Sequence, residues 1–489
     1  MLYHFYEFAH AAMNPARMAA GSAKLIFQNP FNPFAHTSIG RGTAAAAELI
    51  ERTTRRYEKP AFGIDAVSIG GRNAAVRERV VWRRPFCRLV HFSRDIPEKD
   101  AARSPRILIV APLSGHYATL LRGTVEGLLP SHDVYITDWI DARMVPAAEG
   151  PFDLDVYVDY LIDMIRLFKG DVHVMAVCQP SVPVLTAVSY LEMRQDADSP
   201  RSMILLGGPI DTRISPTAVN RLAQEKGIDW FRQNVVTAVP WPYPGRGRQV
   251  YPGFLQLTGF ISMNMDRHVS AHRELFFNLV KGDGDSAEKH REFYDEYLAV
   301  MDLTAEYYLQ TVETVFIEHA LPKGKMHYRG RPIDPSAVRR VALMTVEGEK
   351  DDITGIGQCE AAHRLCSSLP KRMRRHHLQP KAGHYGIFNG SRFRSDIVPA
   401  METFILRHDP RGGGLVTRLL RQIRNVGRID YAAAPPALEI DVTTPETQPC
   451  TSSVAPVALK IAANGHVASL HSHSARLSGD ALRRIGQAG

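Results

Sequence analysis

Cysteine is scarce in this chain. Cys87, Cys178, Cys359, Cys366 and Cys450 are the five cysteines among 489 residues. An odd count at irregular spacing excludes a disulfide framework and fits a reducing compartment. Cys359 and Cys366 stand seven apart, which is no metal-ligand pattern. The expectation is a protein that works without a metal or a cofactor. Long apolar runs are missing too, and no stretch approaches the length of a membrane span. The start, Met1 to Ala12, carries His4, Glu7 and His10 and lacks the basic-then-apolar order of a secretory signal. Together these absences predict a cytoplasmic protein. Neither sign of charge dominates. The balance of 59 Lys and Arg against 51 Asp and Glu leaves +8, which does not by itself imply a nucleic-acid partner.

What is present is a chain long enough for two or three domains, or for one α/β domain with insertions. Residues 1–60 read as an N-terminal helical segment, rich in Tyr3, Phe5, Tyr6, Phe8, Met18, Leu25, Ile26 and Phe27, with a second helix over 43–57. Such apolar residues fit packing back on the core, or an amphipathic surface for a hydrophobic partner. Residues 61–209 begin with a β hairpin around Gly70-Gly71, then alternate short apolar runs with helical patterns: Arg106–Pro112, Asp133–Trp139, Asp171–Val177 and Ser202–Gly208 read as strands. That alternation predicts a mostly parallel sheet with its ligands at the strands' C-terminal ends. Over 210–332 the alternation stops in favour of aromatic-rich helices, read as an inserted cap or lid. The sheet resumes over 333–408, with a strand at Val338–Val346, a helix over 357–367, a basic segment at Lys371–His377 that leads the last strand, and a closing helix over 391–406. Residues 409–489 read as a basic helix followed by a low-complexity, disordered tail.

The chemistry centres on Cys178. The strand ending at Val177 meets a helical pattern carrying Val184, Leu185, Val188 and Leu191. A strand, a one-residue turn bearing a nucleophile and a helix make the nucleophile elbow of α/β-hydrolases. The usual glycines are replaced here by Ala176, small enough for a tight turn, and by Pro180, whose missing N–H costs nothing in a first helical turn. By itself Cys178 reads as a buried structural thiol. Asp351 and His384 change that, because nucleophile, acid and histidine follow in the order this fold requires, each just after a strand. Asp352 rivals Asp351, and His116, His173, His376 and His377 are weaker bases. In the expected roles, His384 takes the Cys178 proton and Asp351 fixes the imidazole. The backbone N–H of Gln179 serves the oxyanion, joined by one from Leu113 or Ser114.

These residues carry a resemblance. Cys178 in its elbow, Asp351 in Glu-Gly-Glu-Lys-Asp-Asp-Ile, His384 in Gly-His-Tyr-Gly and the opening Met-Leu-Tyr-His-Phe-Tyr-Glu resemble the intracellular polyhydroxyalkanoate (poly(3-hydroxybutyrate)) depolymerases, over roughly residues 1–408. The resemblance implies cytoplasmic hydrolysis of an amorphous storage polyester at the granule surface, through Cys178, Asp351 and His384. It leaves open a synthase-type acyltransferase, a broader esterase, thiolysis by coenzyme A and a non-catalytic granule protein. Synthases of this type have glycine on both sides of the elbow cysteine, where this chain has Ala176 and Pro180.

Overall fold

A computed structural model describes residues 2–263 and 265–413. The basic helix expected around Arg418–Arg428 and the stretch to Gly489 lie outside the described residues.

Nine strands form the central sheet: β1 (Ala66–Ile69), β2 (Arg72–Arg84), β3 (Cys87–Arg94), β4 (Arg106–Val110), β5 (Asp133–Trp139), β6 (His173–Val177), β7 (Ser202–Leu206), β8 (Ala342–Gly348) and β9 (Arg374–Gln379). Their order is β1-β2-β3-β5-β4-β6-β7-β8-β9. The first three strands and β5 pair antiparallel, and every pair from β5 to β9 is parallel. This is the α/β-hydrolase arrangement, with its chain reversal between β4 and β6. The central strands are continuous apolar runs because helices cover both faces: every residue of β6, β7 and β8 is buried. Burial of that kind stabilises by roughly 1.5–3 kcal/mol per large aliphatic side chain.

The sequence places these strands well and misplaces several helices. The helix expected over 357–367 is reduced to Ala362–Leu365. Before it, the buried Glu347 carboxylate accepts the N–H groups of Gly357, Cys359 and Glu360, and Gly357 sits at φ +90°. After it, the Arg374 guanidinium donates to the carbonyls of His363, Cys366, Ser367 and Leu369 and ends the helix early. The basic segment does not precede the last strand but supplies it, since β9 starts at Arg374. An edge strand needs no second apolar face. The second helix runs Ser38–Thr54, because the Thr37 hydroxyl caps it by accepting from the Gly40 N–H.

Between β7 and β8 the chain leaves the sheet. It forms a helix over Ala218–Asn234 broken at Gly227 (φ +68°), then helices Gly253–Met263, Met265–Lys281, Gly284–Tyr297 and Ala305–Thr311. It also forms a small three-stranded sheet (Thr237–Ala238, Gln249–Tyr251, Leu303–Thr304), which the aromatic-rich sequence did not suggest. The N-terminal helices lean on this region. Tyr3 donates its hydroxyl hydrogen to Asp302 at 3.0 Å, and Arg291 grips the buried Glu48 with two bonds of 2.6 and 2.9 Å. The N-terminal arm also carries large exposed apolar side chains, with Phe31 92%, Ile39 81% and Met18 74% exposed.

Candidate active site

The parallel strands bring their C-terminal ends to one edge, and five of those ends meet there. β6 delivers Cys178 one residue past its last strand position. The Cys178 N–H still bonds to the Leu206 carbonyl at 2.7 Å, extending the ladder to β7. The backbone then turns sharply, with φ of +66° at Cys178, in the left-handed region that a side chain enters only when the surroundings enforce it. Pro180 follows at φ −56° and the buried helix Ser181–Met193 departs. The turn has the strand–turn–helix geometry that the sequence predicts of an elbow. The helix is buried on nearly every side, not on one face, and Thr186 and Ser189 satisfy themselves on their own backbone.

Cys178 differs from its fellows. Cys87, Cys359 and Cys366 are fully buried free thiols, and burial pushes their pKa values up, that of Cys366 to about 12. Thiols so held are inert. Cys178 is half-buried, at a helix entrance.

β8 and β9 deliver the other two groups. His384 Nδ1 stands 2.7 Å from Asp351 Oδ2, both side chains out of solvent at 5% and 1% exposure. The other Asp351 oxygen accepts the N–H groups of Ile353 and Thr354 at 2.9 and 2.8 Å, which fixes the carboxylate. With Nδ1 given to Asp351, His384 turns Nε2 toward Cys178. Burial opposes charge on His384, but Asp351 and then Cys178 favour it. Together they hold its pKa well above the ordinary histidine range. The rival Asp352 is exposed.

The weaker histidines are engaged elsewhere. His116 is buried with Nε2 at 3.1 Å from the Tyr297 carbonyl. His173, at the opposite end of β6, sits between Ser202 and Asp409. His376 meets Thr345, and His377 meets Gln379.

The loop after β4 carries Leu113 and Ser114. Its start is anchored where the Ala111 N–H donates to Thr137 and the Ala111 carbonyl accepts from Trp139. Its end is anchored where Met301 donates to the Gly115 carbonyl at 2.7 Å. Among the described residues the N–H groups of Gln179, Leu113 and Ser114 have no acceptor. Free N–H groups on this loop and at the elbow are what an oxyanion needs.

One residue without a role in the sequence reading belongs here. Gly207 follows β7 at φ +56°, and a Cβ there would stand 3.1 Å from the His384 ring and 2.7 Å from Ile387. Only a glycine lets the imidazole lie over the strand end. The pair Gly207-Gly208 closing a buried strand was the available signal.

Residues 207–409 match the family model described as "PHB de-polymerase C-terminus". That stretch, less than half of the chain, is similar to the PHB depolymerase family. It takes in Asp351 and His384 and begins beyond Cys178. No curated protein matches the chain. Similar solved structures include a putative lipase from Acinetobacter baumannii AYE (12% identity, 68% of this chain and 92% of that one, TM-score 0.34). A thermophilic esterase from Thermogutta terrifontis is also similar (12%, 71% and 98%, TM-score 0.35). So is 2-hydroxy-6-oxo-6-phenylhexa-2,4-dienoate hydrolase from Rhodococcus sp. strain RHA1 (11%, 68% and 99%, TM-score 0.36). These overlaps are loose, and the fold assignment stands on the strand order and the elbow. A C-terminal depolymerase-type match on this fold supports a hydrolase. No helix among the described residues is long and apolar enough to cross a membrane.

Proposed function

We propose that this protein is an intracellular depolymerase that cleaves a poly(3-hydroxybutyrate)-type storage polyester through a Cys178–His384–Asp351 triad. The observation that carries the reading is Cys178 in a left-handed elbow, facing an imidazole bonded to Asp351, on a chain with a depolymerase domain. His384 accepts the Cys178 proton, and the thiolate sulfur attacks an ester carbonyl carbon. The resulting oxyanion rests on the N–H of Gln179 and one from Ser114 or Leu113. As the C–O bond breaks, His384 Nε2 returns the proton to the departing alkoxide and a thioester remains. Water then attacks the thioester and gives its proton to His384. The acid leaves and the thiolate is restored. Asp351 stays ionised throughout and stabilises the imidazolium.

The substrate surface is cytoplasmic and apolar in this reading. It is supported by the exposed row of Phe31, Phe34 and Ile39 on the N-terminal arm. The deciding experiment offers amorphous 3-hydroxybutyrate granules to the purified protein, with and without coenzyme A. Soluble 3-hydroxybutyrate is expected from the native protein and not from Cys178→Ser. No release under either condition, with polymer made from hydroxybutyryl-CoA instead, would overturn the reading in favour of a synthase.

A further inference from the structure

Beside the nucleophile, three buried side chains hold polar atoms without hydrogen-bond partners. Gln179 is 9% exposed, and neither its Nε2 nor its Oε1 is satisfied. Tyr307 is 1% exposed with an unpaired hydroxyl, and Thr311 is 7% exposed with an unpaired Oγ1. The three are neighbours. Tyr307 lies beside the side chains of Thr311 and Gln179, in geometry too poor for proper hydrogen bonds, and close to Cys178. Tyr307 and Thr311 begin and end one turn of the cap helix Ala305–Thr311, while Gln179 follows the nucleophile. The seam between elbow and cap is therefore lined with an amide that can donate and accept and with two hydroxyls.

An unpaired buried polar group is costly, and proteins seldom tolerate several together without a purpose. Plain packing would have been served by Phe, Met and Val at these positions. The surroundings are aromatic: Tyr307 stacks on Tyr157 at 5.3 Å. A polar ligand brought to Cys178 would find hydrogen-bond partners there.

We propose that Gln179, Tyr307 and Thr311 form a polar subsite that binds the oxygen on the third carbon of the acyl unit joined to Cys178. This rests on the hydrolase reading above and deepens it. The subsite selects 3-oxygenated acyl esters over plain fatty acyl esters of the same length. Rejection of an analogue that lacks the oxygen follows from leaving the three groups unpaired in the complex. The ligand class is a hydroxyacyl unit, whether its 3-oxygen is a free hydroxyl at a chain end or the ester oxygen of the next repeat.

The test compares 4-nitrophenyl 3-hydroxybutyrate with 4-nitrophenyl butyrate, which differ only in that hydroxyl. The native enzyme is expected to prefer the first in kcat/KM by at least about tenfold, and Tyr307→Phe to reduce that ratio by about tenfold. The free Tyr307→Phe protein is expected to melt no lower than the native one, because an unpaired hydroxyl has been removed. Thr311→Val and Gln179→Met repeat the measurement should Tyr307→Phe misfold. An equal loss on both esters, or an unchanged ratio because a buried water satisfies the three groups, overturns the subsite and leaves the hydrolase reading standing. Failure to cleave either ester, or cleavage that persists in Cys178→Ser, overturns both.

Discussion

At the scale of single residues the strongest constraint in the proposed triad falls on His384, which there needs a charge on one side, the nucleophile on the other and empty space behind. Asp351→Asn removes the charge that most favours the imidazolium. The expected loss in kcat is about 10²–10⁴-fold, and the acidic limb of the kcat/KM profile moves to lower pH as the His384 pKa falls. Gly207→Ala fills the space: its methyl would meet the ring at 3.1 Å. A fold of native circular dichroism with activity down about 100-fold is the expected outcome. Retained activity would show that the imidazole does not need that clearance. That Cys178, Asp351 and His384 converge was legible in the sequence because each lies at the end of a strand and their order matches the fold. Gly207 and the unpaired hydroxyls of Tyr307 and Thr311 were not. Their significance is spatial, created by segments that the sequence keeps far apart.

Between elements, two buried contacts hold the N-terminal helices to the inserted region, and they respond differently to solution conditions. Arg291 closes over Glu48, whose side chain is 1% exposed against 26% for the arginine. Arg291→Met strands that carboxylate, and a loss of about 1–3 kcal/mol in urea unfolding is expected, moderated by the solvent that reaches the arginine. The second contact is Asp302, which accepts from the Tyr3 hydroxyl and the Gly253 N–H beside a second buried carboxylate, Asp141. Burial, and then the Asp141 charge, push its pKa up to about 7. The folded state thus holds this proton more tightly than the unfolded chain does. Its contribution to stability falls as pH rises from about 4 towards 7 and is level above that. Asp302→Asn should therefore gain on the native protein by a few degrees in Tm across that interval, with a constant difference at higher pH. Parallel strands were legible because a strand buried on both faces must be a short apolar run. The helix over 357–367 was misread because its start and end are set by Glu347 and Arg374, distant side chains that local periodicity does not reveal. β9 was misplaced because an edge strand reads as basic loop.

For the whole molecule, the proposed work takes place against an insoluble surface, and the exposed arm is the part fitted to meet it. Replacing Phe31, Phe34 and Ile39 together by serine should lower release from granules relative to cleavage of soluble oligomers several-fold, read as a ratio of rates on the same preparation. An unchanged ratio would remove the arm from polymer contact. An enzyme gathered on a surface also meets copies of itself at high local concentration. The nine-stranded sheet ends at β9, whose outer side has no neighbouring strand among the described residues. Such an open ladder invites a second molecule to add its own strand. Lys371, Arg372 and Arg375 stand along that margin. Two such margins brought together repel, so the chain can crowd without zipping sheet to sheet.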